Sequence, residues 1–149
     1  MRGAQRLYIV IVGCGRLGSF LANQLSRDGH SVVAVDANPR AFEALSADYS
    51  GFRVEGNGSE LAVLKQVKMD KAHLVIATTR EDNVNLVVAQ VARRIFRVPR
   101  VIARVFDPER EQVYHDLGVE TICPTTIAAN ALLTQLAEDR PQAGGGGKP

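Results

Sequence analysis

The residues Gly13-Cys14-Gly15-Arg16-Leu17-Gly18 place three glycines at the spacing G-x-G-x-x-G. That spacing suits backbone that must approach an anion. The first glycine makes a tight turn, the second leaves room for a pyrophosphate, and the third lets a helix pack closely on a strand. The pattern carries meaning only after a strand and before a helix. Here the apolar run Leu7–Val12 precedes it, and Leu17–Leu25 follows with helical spacing. A helix starting there offers free N–H groups and partial positive charge to phosphates. Asp36 closes the next β-branched run, Ser31–Asp36, with Ala37 beside it. A carboxylate at that distance accepts hydrogen bonds from a ribose and repels a 2′-phosphate, so NADP is disfavoured. Arg16, at the helix start, reaches phosphate oxygens of its own ligand or a neighbouring subunit's, or is simply solvated. Cys14 reads as a small residue in a tight loop. A redox role is the lesser reading, although a helix N-terminus lowers a thiol pKa.

These residues need elements to hold them, and the rest of the chain supplies an alternation. Strands are expected at Leu7–Val12, Ser31–Asp36, Phe52–Glu55, His73–Ala77, Val101–Val105 and Thr121–Cys123. Helices are expected over Leu17–Leu25, Pro39–Ala47, Glu60–Val67, Thr79–Phe96, Pro108–Leu117 and Thr125–Ala137. Ser59 is read as the cap of the third helix, and Thr79-x-x-Asp82 as a capping box for the fourth. Strands joined by helices pair in parallel, and strands buried on both faces read as continuous apolar runs. The fold class is therefore α/β: a doubly wound six-stranded parallel sheet, Rossmann-like, in the order 3-2-1-4-5-6, with flanking helices. In that order the strands near Cys14 and Cys123 lie about 14 Å apart, too far for a disulfide. Residues 1–138 form the expected domain, and the glycine-rich segment 139–149 the expected disordered tail.

Composition narrows the function. The chain has 149 residues, 46% hydrophobic and 23% charged, with a net charge of +2. This is one soluble domain with no strong pull toward nucleic acid. The longest apolar run falls far short of the ~18 residues of a membrane span, and no secretion signal opens the chain, so the cytosol is expected. The two cysteines form no C-x-x-C and the three histidines stand apart, which argues against zinc. Arg93, Arg94, Arg97, Arg100 and Arg104 form a basic run, read as solvated surface or a partner contact. The last helix is apolar around most of its circumference, so a second subunit is expected against it; deeper burial in its own domain is the alternative. No Ser/His/Asp set or paired carboxylates are recognisable, and the nucleotide fold consumes the ordered chain. The protein is therefore read as not an enzyme.

Four stretches carry a resemblance: Ile11–Gly18, Val33–Asp36, Gly56–Ser59 and Ala77–Asn85, supported by Ile102–Val105 and Leu117–Glu120. From about Tyr8 to Leu136 the chain resembles the N-terminal nucleotide-binding domain of potassium-transport regulators, the RCK-N or KTN family typified by TrkA and KtrA. The resemblance implies a cytosolic regulatory subunit, dimeric or higher, seated on a membrane potassium channel or transporter. It implies an adenine nucleotide, NAD(H) or ATP/ADP/AMP, whose binding changes the shape of the assembly and gates transport. Carried across, Gly13, Cys14, Gly15, Arg16, Leu17 and Gly18 hold phosphates, Asp36 the ribose, and Asn57 and Gly58 the adenine. Thr78 and Thr79 face the phosphates or a second ribose, and Arg104 is a phosphate contact or merely a charge at a strand end. Three departures are visible. The family position often occupied by aspartate is Asn57, and Pro124 is followed by Thr125 and Thr126 rather than an acid suited to a divalent metal. The family's second, ligand-sensing domain is missing, as in an excised domain or a short member. The alternative reading is a small NAD-dependent oxidoreductase or its detached cofactor domain.

Overall fold

The computed structural model describes residues 5–139. Its elements run β1 (Tyr8–Val12), α1 (Arg16–Arg27), β2 (Ser31–Asp36), β3 (Phe52–Glu55), α2 (Leu61–Gln66), β4 (Leu74–Ala77), α3 (Asp82–Arg94), β5 (Arg100–Arg104), α4 (Pro108–Asp116), β6 (Glu120–Ile122) and α5 (Pro124–Glu138). Short 3-10 turns occupy Pro39–Ala44 and Met69–Lys71. The sheet order is β3-β2-β1-β4-β5-β6, and every pairing is parallel. The expected fold class is therefore the observed one.

Val12 pairs with Val35 on one side and Ala77 on the other, and Ala77 pairs with Ala103. The carboxyl ends of β2, β1, β4 and β5 consequently finish in one row. Alternating residues of each strand feed opposite faces. Val10, Val12, Val33, Val35, Val75 and Ala77 pack with Leu64 of α2 and Val88, Ala89 and Ala92 of α3. Ile9, Ile11, Val32, Ala34 and Ile76 pack with Ala22 of α1, Leu45 and Tyr49. Gly18 and Ala22 on the inner face of α1, and Ala89 and Ala92 on that of α3, let these helices lie close to the sheet.

Three local expectations are corrected. The helix expected from Pro39 to Ala47 is a 3-10 turn ending at Ala44. The Asn38 side chain accepts from the Arg40 amide and tightens the turn, and Leu45 then becomes extended and enters the core. Ser59 does not cap α2. Its amide and hydroxyl donate to Asn57 Oδ1, at 2.9 and 2.7 Å, and the helix starts after Glu60 without a side-chain cap. Thr79 and Asp82 form no capping box either, because α3 starts after an uncapped Glu81 while both side chains bond elsewhere. The tail expected at 139–149 lies, apart from Asp139, outside the described residues. Among the described residues no helix is long and apolar enough to cross a membrane.

Candidate functional site

The glycines of the loop between β1 and α1 have separable causes. Gly13 has φ +109°, and a Cβ there would sit 2.6 Å from the Thr78 carbonyl oxygen. A Cβ on Gly18 would meet the Gly13 carbonyl oxygen at 1.9 Å, so the first turn of α1 lies directly on the loop. The fold itself demands both glycines. Gly15 differs: a Cβ there has nothing within 4 Å, and its backbone, with φ −77°, is open to any residue. No side chain caps α1, and no acid occupies its first turn. The start of this helix is thus an exposed, positively polarised rim with a bare backbone position on it.

Asp36, at the end of β2, is half-buried and faces this rim. Its Oδ2 accepts from the Cys14 amide at 2.8 Å, and its Oδ1 accepts from the Asn38 amide at 2.9 Å. The carboxylate therefore fastens the glycine loop to β2, a structural duty the sequence reading did not assign. Each carboxylate oxygen keeps capacity for a further donor. Ala37 beside it is exposed. Cys14 is buried and unpaired. Burial first, then the Asp36 charge, pushes its thiol up to about 11, against a smaller opposing pull from Arg53. Desolvation outweighs the helix terminus, and Cys14 is a thiol at neutral pH. Cys123 is likewise unpaired and buried. Arg16 is exposed, Leu17 half-buried, and Arg16 has no ion-pair partner among the described residues.

The loop after β3 closes one side of this region. A Cβ on Gly58 would lie 2.2 Å from Val12 Cγ1, so this loop rests on the end of β1. Asn57 is exposed next to it. On the other side, the Thr78 amide donates to the Val12 carbonyl at 2.8 Å and extends the β1–β4 ladder. Thr78 is buried, with its Oγ1 3.4 Å from Arg104 Nη1. The structure thus gathers Gly13 to Gly18, Asp36, Gly58, Thr78 and Thr79 around the point where strand order reverses, between β1 and β4. Arg104 stands at the end of β5 on the far side.

Two residues organise the site in ways the sequence reading did not give. Asn85 is fully buried. Its Oδ1 accepts from the Thr79 amide (2.8 Å) and hydroxyl (2.7 Å), and its Nδ2 donates to the carbonyls of Thr79 and Arg104, both at 3.0 Å. One amide therefore ties the ends of β4 and β5 together. Asp82 is also buried; its carboxylate accepts from the Phe106 amide at 2.8 Å and lies 3.8 Å from Arg110. A signal for both was present. Asp82, Asn85, Val88, Ala89 and Ala92 fall on one helical stripe, so two polar residues occupy core-facing positions.

The basic run is not one patch. Arg93 and Arg94 end α3, Arg100 pairs with Glu120 at 3.0 Å at the start of β5, and Arg104 sits at the opposite end of that strand. A cleft of about 780 Å³ lies between the end of α3, α4 and β6, lined in part by Arg93, Glu111 and His115; it holds none of the expected site residues. Among the described residues no group of three or more His, Cys, Asp or Glu is placed to hold a metal. Thr125, in the position discussed for a metal-binding acid, donates its hydroxyl to the Phe106 carbonyl at 3.4 Å.

Residues 9–125 match the family described as the TrkA-N domain. A curated relative, the Trk system potassium uptake protein TrkA of Streptomyces coelicolor, is 38% identical over 130 residues, 87% of this chain and 58% of the relative. The chain thus spans a little over half the length of that protein. Among solved structures, the TrkA-N domain of the inner membrane protein ybaL from Escherichia coli superposes with a TM-score of 0.77 at 19% identity, covering 89% of this chain and 98% of that one. The Kef C-terminal domain of Shewanella denitrificans in its AMP-bound form gives 0.76 at 20% identity, covering 91% and 83%. The GsuK channel bound to NAD gives 0.66 at 22% identity, covering 83% and 22%. At these identities the structural likenesses establish the fold.

Proposed function

This chain belongs to the TrkA-N domain family, and from that premise we propose that it is an adenine-nucleotide-binding regulatory domain of a potassium-transport system. Residues 1–138 are the nucleotide-binding unit. The observation that carries the reading is Gly15, a glycine that the fold does not use, at the uncapped start of α1 opposite a carboxylate. A bare backbone at that point is what a pyrophosphate lying on the helix terminus needs.

Gly13, Cys14, Gly15, Arg16, Leu17 and Gly18 would surround the phosphates. Asp36, with Ala37, would take the ribose through the lone pairs its loop bonds leave free. Asn57 and Gly58 would line the adenine, and Thr78, Thr79 and Arg104 the crevice beyond the switch point. The same Asp36 carboxylate would repel a 2′-phosphate, so NADP is disfavoured. AMP and NAD appear in structures of proteins that share this fold, which supports an adenine nucleotide as the ligand class. The role is regulatory and non-enzymatic. Nucleotide exchange shifts an assembly between two shapes by differential affinity. That assembly is cytoplasmic, contains at least two copies, and reaches the membrane through a potassium channel or transporter subunit. The exposed apolar faces of α5 supply a surface for a second copy.

The test is calorimetric titration of AMP, ADP, ATP, NAD⁺, NADH and NADP⁺ into the protein and its Gly15→Ala variant. The expected result is binding of the unphosphorylated-ribose nucleotides, weakened at least about tenfold (~1.4 kcal/mol) by Gly15→Ala at an unchanged melting temperature. Equal affinity in both proteins would overturn the placement of phosphate on the loop. Oxidation of NADH on adding a carbonyl substrate would instead favour an oxidoreductase.

A further inference from the structure

At the carboxyl ends of β4 and β5, one cation stands without an anionic partner. Arg104 is half-buried, and no carboxylate lies within ion-pair distance of it among the described residues. Among the described residues its buried Nε has no hydrogen-bond partner, and its one side-chain hydrogen bond is to Thr78 Oγ1, 3.4 Å from Nη1. Yet the residue is held in place by its neighbours. The guanidinium carbon lies over the Phe106 ring, 4.1 Å from its centroid. Phe106 is fixed in turn by its amide on Asp82 and its carbonyl under the Thr125 hydroxyl. The Arg104 carbonyl is held by Asn85. A half-buried guanidinium stacked on an aromatic ring, with no anionic partner of its own among the described residues, is a preorganised receptor for an oxyanion.

Its distance from the glycine loop is one side chain. Thr78 Cγ2 lies 3.2 Å from where a Gly18 Cβ would stand, while Thr78 Oγ1 faces Arg104. An anion on Arg104 therefore sits beside one on the start of α1, and both can belong to a single ligand. We propose that Arg104 is the specificity-determining residue of the crevice: stacked on Phe106, it takes an anionic group that the ligand carries beyond its first phosphate. This rests on the nucleotide reading above and adds a selectivity to it. Nucleoside diphosphates and dinucleotides carry such a group; a nucleoside monophosphate does not. Phe106 is a positioning residue that acts only through Arg104.

The experiment is calorimetric titration of AMP, ADP and NADH into the whole chain and into Arg104→Gln, Arg104→Lys and Phe106→Leu, with melting temperatures recorded. In the unaltered protein ADP and NADH should bind at least about tenfold more tightly than AMP. Arg104→Gln should bring the ADP-to-AMP affinity ratio close to one by weakening ADP and leaving AMP within about twofold. Arg104→Lys should restore part of the ratio, since it keeps the charge but not the planar edge. Phe106→Leu should lower the ratio without abolishing it. Equal weakening of AMP and ADP by Arg104→Gln, or a ratio near one in the unaltered protein, would overturn the proposal while leaving the nucleotide reading intact. Binding of none of the three would overturn both.

Discussion

Asn85 and Cys14 show opposite degrees of legibility at the scale of single residues. The buried position of Asn85 was legible in its helical stripe, but its role was not, because one of the groups it ties together, the Arg104 carbonyl, lies on another strand. The letters of Thr79-x-x-Asp82 fit a local cap, yet the hydroxyl turns to Asn85 and the carboxylate to the Phe106 amide. Replacing Asn85 with Ala would orphan the buried Thr79 amide and two carbonyls. We expect a loss of about 2–3 kcal/mol, read as a lowered urea midpoint. The environment of Cys14, by contrast, was legible: a small residue in a tight loop is a buried one. Its thiol is raised from 9.0 to about 11, and the Tyr49 hydroxyl, desolvated in the same core, from 10.0 to about 12. Both groups are held neutral by the fold. Each therefore binds its proton more tightly folded than unfolded, and stability is complete below about pH 9 and falls as pH rises from there toward 12. Thermal melts across that window should show the decline, and Cys14→Ala should remove the part between pH 9 and 11.

Elements were easier to read than their ends. The β-branched runs fixed the strands because a parallel sheet buries both faces, and the intervening helices then allowed few orders. Asp36 and the glycines could be placed because the row of strand termini follows from that topology. The stretch after Pro39 was misread because a helical start and a 3-10 turn share the same proline and cap; only the extended Leu45, drawn into the core, separates them. The contact between α1 and the loop beneath it gives a prediction at this scale. Gly18→Ala forces a methyl group into the Gly13 carbonyl, so α1 must move off the sheet. Destabilisation above about 3 kcal/mol is expected, whereas Gly15→Ala should melt like the parent. A melt of Gly18→Ala within a degree of the parent would contradict the packing described for α1.

For the whole molecule the informative element is α5. The sequence showed apolar residues around most of its circumference, and the structure excludes the alternative of deeper burial: no residue of α5 is buried, and Leu133 and Leu136 are 63% and 65% exposed. Light scattering at high concentration is expected to show at least a dimer, and Leu133→Lys with Leu136→Lys to shift it to monomer while nucleotide affinity holds. A monomer in the unaltered protein at high concentration would count against pairing. A further consequence follows from length. A helix of 15 residues that borrows almost nothing from tertiary packing is close to the limit at which helices persist alone in water. On dilution its amide protons should trade with solvent deuterium far sooner than those of α3, and they should slow again as concentration rises. On the proposed pairing, helix order and self-association form one equilibrium, so whatever displaces the start of α5, anchored through Thr125 to the Phe106 carbonyl, would change how much of the chain is ready to assemble.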